Sequence, residues 1–237
     1  MEGREDLGLL VRAGWILLSA NRAAETEVFV RRATAAAQTD PEKLYALNFA
    51  WLFYLQVRRH AEALALVDAG AALLGPESAA ALRGETFSEA GRYADAAREF
   101  RRLPPGSPLW LDNANDLAWC EWMCGNTARA LEAADAAVAH NVTKSPRTNR
   151  GLVRLDCGLY AEALEDFEAE RKADPAGPNA YSNIAVVLCM LDRYTEAMDS
   201  LEQGFLRSPV PEGVKEQMKK SFVGIKKRIR EAKTPAE

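Results

Sequence analysis

The chain is 237 residues long, 48% apolar and 27% charged, with a formal net charge of −4. That balance suits a folded, water-soluble chain and excludes the weakly apolar, highly charged composition of a disordered one. The charge is uneven: residues 211–237 hold eight Lys/Arg against four Asp/Glu, so the tail is +4 and residues 1–210 carry −8. An acidic body lacks the basic footprint that duplex nucleic acid requires, so DNA is not expected as a partner.

Ala and Leu recur while β-branched residues are sparse, which predicts helices throughout, because Ala and Leu lose little on entering a helix. Residues 1–6 are mainly acidic where a signal peptide needs a basic start, and the apolar run that follows is broken by Arg12. No stretch reaches the ~18 apolar residues of a membrane span, so a cytoplasmic chain is expected. Residues 1–43 read as a degenerate helix pair. Leu7, Leu10, Val11, Gly14 and Leu17 fall at helical spacing, Asn21 and Arg22 mark a turn, and Val28, Val30 and Ala33 are expected to face inward on the second helix.

From residue 44 a short phrase repeats: a small or polar residue, an aromatic or polar residue two places on, and Ala three further. Gly91, Tyr93 and Ala96 form one copy; Gly158, Tyr160 and Ala163 another; Asp192, Tyr194 and Ala197 a third. Gly125, Thr127 and Ala130, and Arg58, His60 and Ala63, are weaker copies. Positions 60, 93, 127, 160 and 194 are separated by 33, 34, 33 and 34 residues. Each residue type has a physical role. A Gly between helices accepts the left-handed backbone that ends the first, and Pro108, Pro175 and Pro209 are expected to close second helices, which Pro cannot continue. One such unit cannot bury its apolar face alone, whereas a stack can.

Period and phrase resemble the tetratricopeptide repeat, a helix–turn–helix of about 34 residues. The resemblance covers residues 44–210 as five units. It implies an all-α, right-handed α-solenoid of antiparallel helix pairs, five to six repeats in all, with residues 211–237 as a basic capping helix and tail. Arg83 and Arg150 stand where apolar residues are expected in first helices, and Glu170 where a small one is expected in a second. In the terminal segment Val214, Met218, Phe222, Ile225 and Ile229 share one face. That pattern reads as a cap on the last apolar surface, or as a basic amphipathic helix for an anionic membrane or acidic partner.

Residues that carry chemistry are scarce. No phosphate-binding Gly-rich loop, zinc-protease helix or calcium loop occurs, and neither His60 nor His140 belongs to a nucleophile motif. No enzyme activity, cofactor or metal is expected. Cys120 and Cys124 share a helical face, but two thiols do not make a zinc site, and the equivalence of Cys124 with Cys157 predicts small side chains packed beside turns.

The resemblance implies that first helices of successive pairs line a concave groove for a peptide or helix of a partner. The in-register residues are Glu85 and Glu89; Asp112, Asn115, Asp116, Trp119, Trp122 and Met123; Asn149 and Leu152; and Asn179, Asn183 and Val186. Two indoles and a Met offer adaptable apolar contact. Asp116, Asn149 and Asn183 share one repeat position, where amides can pair with an extended backbone. The carboxylates favour a basic or amphipathic segment. Lys/Asn/Arg clamp positions known in carboxylate-gripping relatives hold Asn48, Leu52, Leu82, Asp112 and Asp116 instead. The expected function is a protein-interaction scaffold, with assembly or secretion chaperones as one subtype. The alternative is a structural homo-oligomer without a peptide ligand.

Overall fold

The computed structural model describes residues 6–140, 145–175 and 177–207, and positions 213, 216, 220, 222, 223 and 226. Among the described residues there are thirteen α-helices and no strand. They are α1 (Leu7–Ser19), α2 (Ala23–Ala36), α3 (Asp40–Gln56), α4 (His60–Ala69), the short α5 (Ala71–Leu74), α6 (Pro76–Glu89), α7 (Tyr93–Phe100), α8 (Pro108–Met123), α9 (Thr127–Ala139), α10 (Pro146–Asp156), α11 (Tyr160–Ala173), α12 (Pro178–Met190) and α13 (Tyr194–Arg207). Two compact units result, residues 1–124 and 125–237. In each, consecutive helices pair as hairpins, and neighbouring hairpins pack on one another. No described helix is long and apolar enough to cross a membrane.

The hairpin turns repeat one backbone device. The residue after each first helix's C-cap is left-handed: Gly91, Gly125 and Gly158 at φ 72°, 77° and 75°, and Asn21, Arg58 and Asp192 at 58°. The next N–H then reaches back five residues, as Arg92 N to Phe87 O at 2.8 Å and Leu159 N to Arg154 O at 2.9 Å. These bonds satisfy carbonyls that the helix end would leave unpaired. Pro175 follows the Asp174 C-cap and closes α11 as expected, and Pro209 lies outside the described residues, but Pro108 and three further prolines act at the opposite end of a helix. Pro76, Pro108, Pro146 and Pro178 lie in the first turns of α6, α8, α10 and α12. There Pro forfeits no helical hydrogen bond. Pro108 therefore starts α8, well after α7 has ended at Phe100.

In the first unit Leu10, Val11, Leu18, Val30, Ala33, Phe49, Ala50 and Phe53 form one core, and Trp51, Ala63, Val67 and Ala79 the next. In the second unit Ala163, Phe167, Ile184, Ala185, Val187, Leu188 and Ala197 do the same work. Glycines let aromatic rings seat against a facing backbone. A Cβ on Gly84 would lie 2.5 Å from Phe100 Cε1, and one on Gly151 2.7 Å from Phe167 Cε1. In α2 the inward positions are Thr26, Val30 and Ala33, while Val28 is 54% exposed. The expectation that Val28 faces inward is corrected by geometry: two residues at about 100° each carry it to the far side of the helix from Thr26.

Arg83 and Arg150, the two departures in first helices, are interhelical ion-pair residues. Arg83 Nε donates to Asp68 of α4 at 2.7 Å. Arg150, two repeats on, donates to the equivalent Asp135 of α9 at 3.0 Å and forks onto Asp166 of α11 at 2.6 and 2.9 Å. Arg154 joins at 2.8 Å from Asp166, which is only 3% exposed. Between these two, the first unit uses the opposite polarity. Arg101 stands ten residues past Gly91, as Asp135 stands past Gly125; Glu121 stands four before Gly125, as Arg154 stands before Gly158. Arg101 Nε lies 3.1 Å from Oε1 of the buried Glu121, but its hydrogen points to the Ala97 carbonyl at 3.0 Å, so the contact is an ion pair without hydrogen-bond alignment.

In the terminal segment Phe222 meets Phe205 edge-on, ring centroids 6.1 Å apart. Lys226 Nζ pairs with Asp199, and with Glu202 at 2.5 Å. The expected face positions Val214, Met218, Ile225 and Ile229 lie outside the described residues.

Candidate functional site

In the first unit the expected lining residues lie on the neighbouring helices α6 and α8. Ser107 caps α8, its hydroxyl accepting from Trp110 N at 3.3 Å, and Pro108 fixes the first turn, so the helix starts at a defined register. On α8, Asp112 and Met123 are exposed, and Asp116, Trp119 and Trp122 are half-buried. The two indoles meet edge to face with centroids 5.2 Å apart. They hold each other in place while keeping part of their surface in solvent, and Met123 beside them is 47% exposed. On α6, Glu89 is exposed and Glu85 half-buried. Together these residues make an apolar strip edged by carboxylates.

Asn115 is the exception. At 4% exposure it lies inside the helix packing, adjacent to the fully buried Ala114. Counting repeat positions placed it beside Asp116, but α8 is covered on several sides, and the step of one residue turns Asn115 into the interior.

In the second unit the expected lining residues fall on α10 and α12. Asn149 and Leu152 of α10 and Asn183 of α12 are half-buried; Asn179 and Val186 of α12 are exposed, Val186 at 50%. Leu152 also packs against the Phe167 and Ile184 core, so it supports the surface as well as contributing to it. Asn179, Asn183, Val186 and Met190 form one stripe at spacings of four, three and four. Beside its start lies a cleft of about 180 Å³ lined by Ser145, Thr148, Glu170, Asp174, Gly177, Asn179 and Ala180. Glu170, the departure noted in α11, is thus at a cleft wall. Met190 in this stripe is 52% exposed, and the cleft extends the strip beyond the residues that repeat counting supplied.

The cysteines differ from expectation. Cys120 is buried, its thiol donates to Ser88 Oγ at 3.5 Å, and burial pushes its pKa up to about 11. Cys124, Cys157 and Cys189 are exposed and all four are unpaired with one another. The packing role expected for Cys124 and Cys157 fails because both are helix C-cap residues, whose side chains leave the hairpin interior. Among the described residues no group of three His, Cys, Asp or Glu is placed to hold a metal.

Neither the known family models nor the curated proteins include a match to this sequence. Solved structures do resemble it. A tetratricopeptide repeat protein from Parabacteroides merdae superposes with a TM-score of 0.65 over 97% of this chain and 94% of its own, at 15% identity. YrrB, described as a tetratricopeptide-repeat protein with an unusual peptide-binding site, gives 0.58 over 73% and 90% at 21% identity. The Cut9–Hcn1 hetero-tetramer of the APC/C gives 0.67 over 92% of this chain and 43% of that one, at 16% identity. The class is therefore an all-α helical-repeat fold. In particular, the chain has the fold of tetratricopeptide-repeat proteins, an α-solenoid of antiparallel helix pairs.

Proposed function

We propose that this chain is a non-catalytic protein-interaction scaffold that holds a basic, partly apolar segment of a partner protein against its first-helix faces. The observation that carries the reading is the strip on α8. Two edge-to-face indoles and an exposed Met123 lie among Asp112, Asp116 and Glu89. Aromatic and Met side chains left partly in solvent cost free energy unless a partner covers them, and the carboxylate rim selects a cationic one. The α10 and α12 strip supplies a second contact set, with the Asn149 and Asn183 amides for a peptide backbone and Val186 for an apolar side chain. YrrB, of the same fold, carries a peptide-binding site by its own description. A chain that shields an apolar client segment in this way would serve as an assembly or secretion chaperone. Four unpaired cysteines suit a reducing compartment such as the cytoplasm.

Tryptophan fluorescence tests the reading. Titration with basic amphipathic peptides should shift the emission, and the shift should vanish in Trp119→Phe/Trp122→Phe. Peptides that bind while leaving these two indoles unperturbed would place the binding surface elsewhere.

A further inference from the structure

We infer that the cleft beside the α12 stripe is a subsite for one cationic side chain, a lysine or arginine, of the partner segment. The inference rests on the scaffold reading above and adds a residue class and a position to it. Its starting point is a single departure in the repeat. Twelve residues past the turn, the second helices hold Ala33, Gly70, Leu103, Ala137, Glu170 and Gly204. At that position a second helix closes on its own first helix. A Cβ on Gly70 would collide with the Leu47 side chain, and one on Gly204 would lie 2.6 Å from Tyr181 Cβ. Leu47 and Tyr181 both stand eleven residues before their turns. Ala33, Leu103 and Ala137 are at most 1% exposed. In the hairpin of α10 and α11 the two positions hold Arg147 and Glu170, both half-buried. Two ionisable side chains cannot form the dry contact that small apolar ones do, and here the hairpin opens as the cleft of about 180 Å³.

The walls of the cleft suit a positive charge. Glu170 and Asp174 stand one turn apart at the C-terminal end of α11, where the helix carbonyls add negative potential. Asp174 also accepts from Gly177 N at 3.1 Å. Among the described residues, the Glu170 carboxylate takes part in no hydrogen bond or ion pair. The cations of the same turn are engaged elsewhere. Arg171 pairs with Glu168 and lies over the Tyr181 ring, 5.8 Å from its centroid, and Lys172 lines a separate groove with Leu191 and Arg193. Arg147 is not one of the cleft's walls. The other polar walls are neutral: Thr148, Asn179 and Ser145, whose side chain makes no capping bond to α10. Their oxygens can accept the N–H groups of an ammonium or guanidinium that the carboxylates leave over.

The cleft also has a fixed place along the strip. Asn179 belongs to both, Asn183 follows one turn later, and Val186 stands seven residues on, about 10 Å along α12 at 1.5 Å per residue. An extended segment covers that distance in about three residues. A segment with its cation in the cleft therefore presents an apolar residue to Val186 about three positions away, with its backbone over the Asn183 amide.

The probe is the basic amphipathic peptide that binds most tightly in the fluorescence titration, with each Lys and Arg replaced in turn by norleucine. Calorimetric affinities of this set for wild type and Glu170→Gln form a double-mutant cycle. One replacement should weaken binding to wild type about tenfold, and the same replacement should cost less than about twofold in Glu170→Gln. The remaining replacements should cost the same in both proteins. Glu170→Ala, which matches Ala33 and Ala137 at this position, should melt no lower than wild type yet show the same loss, which separates binding from folding. Equal affinity of every peptide for wild type and Glu170→Gln overturns the subsite and leaves the scaffold reading standing, as does a loss spread evenly over all cationic positions. A chain that binds no basic peptide overturns both.

Discussion

At the scale of single residues, Asp166 is a sensitive point of the second unit. It is buried at 3% exposure and neutralised by two guanidinium groups, Arg150 and Arg154, which are themselves mostly shielded. Removing one partner of a buried ion pair leaves uncompensated charge in a poorly solvated place. Asp166→Ala should therefore lose roughly 3 kcal/mol in urea unfolding, while Glu165→Ala one position away should change little. The thiols provide a second test. A thiol reagent should modify Cys124, Cys157 and Cys189 quickly in the native chain, and Cys120 only after unfolding, because it is buried and its thiol stays protonated near neutral pH. Arg58 is a third. It is exposed, yet its backbone is left-handed at φ 58°. Arg58→Gly should raise stability by ~1 kcal/mol, since Gly adopts that conformation without the Cβ clash.

At the scale of the helical hairpin, an arginine just after the turn pairs with a carboxylate in the second helix's first turn. Arg59 with Glu62, Arg92 with Asp95 and Arg193 with Glu196 repeat the arrangement at 2.7, 2.8 and 2.7 Å. In each case the arginine's hydrogen bond is the main cause holding the carboxyl below its ordinary pKa. A depressed folded-state pKa gives stability that is present above the unfolded value near 4 and lost as pH falls through the lower folded values. Thermal melting followed downward from pH 6 should therefore show falling stability once pH drops below about 4.5. Packing inside the hairpin is equally specific. Gly151→Val would drive a branched side chain into the Phe167 ring, and overpacking of this kind costs about 1–3 kcal/mol.

The hairpins were legible in the sequence because their period is long and their turn chemistry recurs: Gly91, Gly125 and Gly158 mark left-handed turns without any structure. The ion-pair seams were not. Arg83 and Arg150 looked like departures because their partners, Asp68 and Asp135, lie fifteen residues earlier on a different hairpin, and local propensity carries no trace of such pairs. Nor does repeat counting give depth. It placed Asn115 beside Asp116 on α8, but only the packing of neighbouring helices decides that one is interior and the other half-exposed. Val28 failed for the same reason at the start of the chain, where an apolar residue faces solvent in a position that holds Ala65 in α4 and the charged Arg98, Glu132, Glu165 and Asp199 in later hairpins.

At the scale of the molecule, function depends on surfaces left over once the hairpins have stacked. Charge there makes one broad prediction. If Asp112, Asp116 and Glu89 select a cationic partner, the dissociation constant should rise with salt, because exposed charges lose attraction within a Debye length of about 8 Å at physiological ionic strength. An apolar-only contact would be nearly indifferent to salt. The direct test of the central claim is calorimetric titration of a peptide selected on the full chain, using wild type beside Trp119→Ala/Asn149→Ala/Asn183→Ala, after both have been shown to melt alike. The variant should bind at least tenfold more weakly, which corresponds to about 1.4 kcal/mol. Equal affinity in the two proteins would contradict that claim and move the binding surface away from the first-helix strips.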